Sequence, residues 1–157
     1  MHKITPFLWF DDQAEQAAEF YVSVFDNSRI TSITHYGQTG PGEPGQVMTV
    51  EFELDGQPVT ALNGGPHFKF TEAVSFSVSC EDQAEVDRYW NALLNGGEES
   101  QCGWLKDRFG FSWQIVPAAM LRLLADPDRA KANRAMAAML KMKKLDVAVL
   151  EAAAAAA

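Results

Sequence analysis

The tetrapeptide Asp12-Gln13-Ala14-Glu15 returns as Asp82-Gln83-Ala84-Glu85, each time directly after a short apolar stretch rich in strand formers. A repeated strand-to-helix junction of this kind means that one supersecondary unit is built twice. The residues after each copy agree: Phe20, Tyr21, Val24 and Phe25 are spaced like Tyr89, Trp90, Leu93 and Leu94, the apolar stripe of a helix. The stripes are offset by one residue less than the tetrapeptides, which places one extra residue between cap and stripe in the first copy.

Each copy opens with a strand candidate, residues 4–10 and 74–80, of suitable length and β-branched or aromatic content. An acidic helix start comes next. Asp11 or Asp12, and Glu81 or Asp82, are placed to accept orphan N–H groups, while Asp26-Asn27-Ser28 and Asn95-Gly96-Gly97 supply stop signals. After the first helix, strands are predicted over 29–36, 46–54 and 58–62, the last two joined by the hairpin signal Asp55-Gly56. After the second, a weaker signal lies around 100–106 and a clear one over 111–116, ended by Pro117. The expected class is α+β, with paired βαβββ modules in 1–117, about 1–66 and 72–117. Residues 37–45, Gly-Gln-Thr-Gly-Pro-Gly-Glu-Pro-Gly, read as a mobile exposed connection, with a lid as the alternative.

Residues 118–157 form the third part, a helical tail rich in Ala, Leu, Met, Lys and Arg. Asp126-Pro127-Asp128 predicts a helix with Pro at its first position. Met136, Met139, Leu140 and Lys143 recur at helical spacing and read as a packing stripe for the protein's own sheet or a twin subunit. The alanines after Glu151 carry no chemistry.

Charge narrows the partners: 13 Lys and Arg against 21 Asp and Glu leave −8, which repels phosphate backbones and anionic lipid. Nucleic acid and membrane are therefore not expected partners. No apolar run approaches the roughly 18 residues that cross a bilayer, and Met-His-Lys-Ile-Thr-Pro lacks a secretory apolar stretch, so a cytoplasmic protein is expected. Cys80 and Cys102 have no metal-binding spacing and read as free thiols, Cys102 as a buried inert one. His2, His35 and His67 form no i, i+2 or i, i+4 pair and read as surface or structural side chains.

Several strings resemble the PhnB-like proteins, the family labelled 3-demethylubiquinone-9 3-methyltransferase. They are Ile4-Thr5-Pro6-Phe7-Leu8-Trp9-Phe10, Glu19-Phe20-Tyr21, Leu62-Asn63-Gly64-Gly65-Pro66, Phe68-Lys69-Phe70, Gln101-Cys102-Gly103-Trp104-Leu105-Lys106-Asp107, Phe109-Gly110 and Ser112-Trp113-Gln114-Ile115-Val116-Pro117. The resemblance implies the vicinal oxygen chelate superfamily of glyoxalases, bleomycin-resistance proteins and dioxygenases. That superfamily pairs βαβββ modules into a cupped mixed sheet and is expected to dimerise. It also implies a divalent metal held by His and Glu. Here the strands 4–10 and 74–80 contain no His, Asp or Glu, and the last ligand column falls on Gln114. No metal or other cofactor is expected.

Methyl transfer from adenosylmethionine in a Rossmann-type site needs a Gly-rich turn between strand and helix, and none occurs. The remaining candidate is an apolar cup with a few amides: Trp9, Asn63, Trp104 and Gln114 as candidate ligand-binding residues for a small organic molecule. Two classes stay open, a metal-free binding protein and an enzyme of the same superfamily, either a metal-dependent lyase or dioxygenase-like protein or the methyltransferase of the label.

Overall fold

In the computed structural model, which describes residues 2–156, the chain divides after Phe70 into two compact units. The first holds β1 (Phe7–Phe10), α1 (Ala14–Val24), β2 (Arg29–His35), β3 (Val47–Leu54) and β4 (Gln57–Asn63). Its four-stranded sheet has the order β1-β4-β3-β2, with β1 parallel to β4 and the other pairs antiparallel. The second unit repeats this with β5 (Ser75–Cys80), α2 (Gln83–Leu94), β6 (Glu98–Glu99), β7 (Trp104–Lys106) and β8 (Ser112–Pro117), in the order β5-β8-β7-β6. The βαβββ duplication is present, as two mixed sheets.

Each sheet buries one face under its own helix. In the first unit Tyr21 of α1 lies on Phe52, ring centroids 6.3 Å apart, among buried Val50, Val59 and Ala61. In the second, Leu105, Trp113 and Ile115 are buried together with Val86, Trp90 and Leu93 of α2. Counted from the helix starts Ala14 and Gln83, Tyr21 and Trp90 hold the same place. The extra residue of the first copy therefore lies in the turn before the helix, not between cap and stripe.

That shift changes the caps. Asp82 is the N-cap of α2, and its side chain accepts from the Glu85 backbone N–H at 3.0 Å while Glu85 Oε2 accepts from the Glu81 N–H at 2.7 Å, a reciprocal capping box. In α1 the N-cap is Gln13, with no side-chain cap bond, so neither Asp11 nor Asp12 does what the sequence suggests. The Ala14 N–H donates instead to Asn63 Oδ1, 2.8 Å away at the end of β4.

Other boundaries move for local reasons. β1 begins at Phe7, directly after Pro6, which has no N–H to give a ladder. The run 100–106 breaks because Cys102 (φ 59°) and Gly103 (φ 86°) are both left-handed, leaving β7 three residues. The hairpin residues Asp55 and Gly56 have φ of 48° and 78°, as a primed turn requires. The 37–45 connection folds over the Tyr36 ring, and a Cβ on Gly42 would meet that ring.

The tail forms α3 (Ala118–Leu124), α4 (Arg129–Met139) and α5 (Val147–Ala155). Pro127 precedes the N-cap Asp128 rather than opening the helix; Asp128 accepts from the N–H groups of Ala130 and Lys131. Val116, Met120, Leu145 and Leu150 make a second buried cluster, which Met139 and Met142 join, whereas Met136 and Leu140 of the expected stripe are exposed. Residues 152–155 complete α5, and Arg134 donates to the carbonyls of Ala153 and Ala154.

Candidate functional site

Alternation along β8 sends Trp113 and Ile115 under α2 and Ser112 and Gln114 to the other face of the second sheet. Register then assembles that face. Gln114 stands between Ser77 of β5 and Trp104 of β7, and Ser112 between Ser75 and Lys106. Two of the four expected residues, Trp104 and Gln114, are thus directly opposed cross-strand neighbours, both half-buried. Gln114 Nε2 donates to Ser75 Oγ at 2.9 Å. Ser112 is 1% exposed, and its Oγ has no hydrogen-bond partner.

A cation sits at the edge of this face. Lys106 pairs with Glu72, and hydrogen bonding to that ammonium holds the Glu72 carboxyl below its usual range while raising Lys106. Both groups are exposed enough that water screens the pair.

Trp9 and Asn63 belong to the first unit, on opposite faces of its sheet. Trp9 is paired with Leu62, its Nε1–H donates to Gly65 O at 2.9 Å, and Phe68 meets it edge-on at 4.9 Å. Asn63, buried beside Phe10, spends its oxygen on Ala14 and its Nδ2 on Val47 O at 3.0 Å. It also lines a hollow of about 250 Å³ with Asp12, Glu15, Gln16, Glu19, Gln46 and Val47. Ser75, Ser77 and Ser112 were not singled out in the sequence, although a serine at every second place of 75–79 is the signature of a strand with one polar face.

Among the described residues no group of three or more His, Cys, Asp or Glu is placed to hold a metal ion. The open face of the second sheet offers hydroxyls, one amide and a lysine, a donor set that does not fit a divalent cation. The strand-to-helix turns, Asp11-Asp12-Gln13 and Glu81-Asp82, carry no glycine and do not fit a Rossmann-type adenosylmethionine site. Cys80 is buried, and that burial, with Glu85 adding to it, pushes its thiol up to about 11. Cys102, expected to be buried, is partly exposed; both cysteines are free. No helix among the described residues is long and apolar enough to cross a membrane.

The PhnB protein from Bacillus cereus is 38% identical to this chain, with 74% of this chain and 100% of that one covered and a TM-score of 0.68. Protein PA1353 from Pseudomonas aeruginosa, 20% identical over 74% and 98% of the two chains, has a TM-score of 0.63. The fosfomycin resistance protein FosX from Listeria monocytogenes, solved with Mn(II) and sulfate, shares the fold at 14% identity over 74% and 91%, TM-score 0.52. A glyoxylase/bleomycin resistance protein/dioxygenase domain from Frankia sp. matches at 13% identity over 74% and 92%, TM-score 0.50. No curated protein matches the chain. The family described as 3-demethylubiquinone-9 3-methyltransferase matches over residues 2–116, leaving α3, α4 and α5 outside it. With that match and the Bacillus cereus relative, the chain is a member of the 3-demethylubiquinone-9 3-methyltransferase (PhnB) family, on the glyoxalase/bleomycin resistance/dioxygenase fold.

Proposed function

We propose that this chain binds a small organic molecule on the open face of the second sheet, with Trp104 as an apolar wall and Gln114 as the hydrogen-bonding group. One observation carries the reading: Gln114, half-buried and opposite Trp104, lies among the hydroxyl side chains Ser75, Ser77 and Ser112. An apolar wall with a few aimed polar groups is the usual make-up of a small-molecule site. On the first sheet Trp9 is the corresponding aromatic wall, and Asn63 acts by holding the start of α1. The donor set favours a metal-free site, and nothing in either strand-to-helix turn favours methyl transfer.

Protein-observed NMR with a fragment library tests this. Binders should shift the Trp104 indole N–H and the Gln114 side-chain amide; shifts confined to other surfaces would refute the site.

We propose further that the protein is a homodimer. Phe68 (66% exposed), Val74 (62%) and Phe7 (59%) are large apolar side chains in water, of the kind that a subunit contact covers. A monomeric mass by light scattering at micromolar concentration would contradict this. Two free cysteines support a cytoplasmic setting, and the charge of −8 supports the absence of nucleic-acid binding.

A further inference from the structure

We propose that Ser112 selects the ligand of this face, and that the ligand is a neutral aromatic molecule bearing a carboxamide-type edge, one hydrogen-bond donor beside one acceptor. This rests on the small-molecule site proposed for the same face and deepens it.

A hydroxyl that is fully buried and unpaired costs the fold free energy and returns nothing to it. Ser112 Oγ is in that position at the end of β8, while its neighbours on both sides carry polar side chains. Ser75 Oγ accepts from Gln114 Nε2 and makes no hydrogen bond to Ser112 Oγ. In the structure the nitrogen of Gln114 meets Ser75, and Oε1 makes no hydrogen bond among the described residues. The face therefore presents an acceptor, Gln114 Oε1, two positions along the strand from a hydroxyl free to donate. A carboxamide edge answers both at once, its N–H₂ to the glutamine oxygen and its carbonyl to the serine O–H. Trp104, opposite Gln114, supplies a wall for the ring that carries it.

Charge disfavours ionic ligands. A cationic ligand would meet the Lys106 ammonium beside Ser112, and a carboxylate ligand would compete with Glu72 for it. The ion pair runs from β7 to the segment before β5, with the Ser112 end of β8 between them, and an exposed pair of this kind opens at little cost.

Calorimetric titration of the full-length chain tests the proposal with three probes of one shape: benzamide, acetophenone with an acceptor only, and benzoate with a charge. Fragments of this size bind at millimolar strength, so the titrations run in that range. Benzamide should bind about tenfold more tightly than the other two. Ser112→Ala should weaken benzamide and acetophenone alike, about fivefold, because both offer a carbonyl to the hydroxyl, with a melting temperature unchanged or raised, because the hydroxyl has no protein partner to lose. Equal binding of all three probes, or a Ser112→Ala variant that binds benzamide as tightly as the parent, would overturn the role of Ser112 while leaving the face a small-molecule site. Failure of every probe to bind would overturn both.

Discussion

Asn63 Oδ1 accepts the backbone N–H of Ala14 at 2.8 Å, so the end of β4 supplies the helix cap that the α1 sequence lacks. The same side chain donates from Nδ2 to Val47 O, and the backbone carbonyl of Asn63 accepts from Tyr36 Oη–H at 2.5 Å. One buried residue therefore ties β4 to α1 and β3 through its side chain, and Tyr36 to β4 through its backbone.

Asn63→Ala should then destabilise the protein by about 2–3 kcal/mol, a lost cap plus a lost buried hydrogen bond. Asp12→Ala, at the residue that looks like the cap, should change stability by less than about 0.5 kcal/mol. Urea unfolding of the two variants beside the parent measures both. Equal losses would show that the acidic turn holds the helix as much as Asn63 does.

Why the sequence misleads at this helix and not at α2 is a matter of range. The α2 cap is local, Asp82 to Glu85, three residues apart, and a reader of the sequence finds it. The α1 cap comes from 49 positions away, and no window around residue 13 contains it. The βαβββ order was legible because apolar periodicity and turn residues are local as well. The opposition of Trp104 and Gln114 was not, since it depends on the β7–β8 register, and left-handed Cys102 and Gly103 hide the start of β7 inside a weak strand signal. Pro127 misled by two places: α4 starts at Arg129, and Asp128, directly after the proline, is its cap.

Gln83 is the polar tie between the second module and the tail, donating from Nε2 to Leu145 O at 3.0 Å and accepting from the Val147 N–H at 2.8 Å. Gln83→Ala should cost about 1–2 kcal/mol and speed amide hydrogen exchange at Cys102 and Gly103, which donate to Met142 and Lys143 of the same segment. Unchanged exchange at those two amides would show that the apolar cluster around Leu145 holds the tail without Gln83.

Cys80 sets a limit at high pH. Its folded-state pKa, about 11, lies above that of an ordinary thiol, so the folded form holds the proton more tightly than the unfolded form does. Its share of stability is complete below about pH 9 and is lost as pH climbs towards 11. The parent should lose stability over that interval faster than Cys80→Ala, as read by denaturant midpoints at each pH. Parallel curves would place the thiol in a more polar setting than its burial implies. In the folded protein at pH 8, a thiol reagent should modify Cys102 and spare Cys80.

The small-molecule site stands or falls on Gln114, and the measurement that isolates it pairs two readings of Gln114→Leu, melting temperature and benzamide affinity. Gln114 is half-buried, and its one side-chain bond goes to Ser75. The leucine variant should keep its melting temperature within about 3 °C, equivalent to less than about 1 kcal/mol, while benzamide binding weakens at least about tenfold. A variant that melts far earlier yet binds benzamide as the parent does would make Gln114 a structural residue and contradict a ligand site on this face.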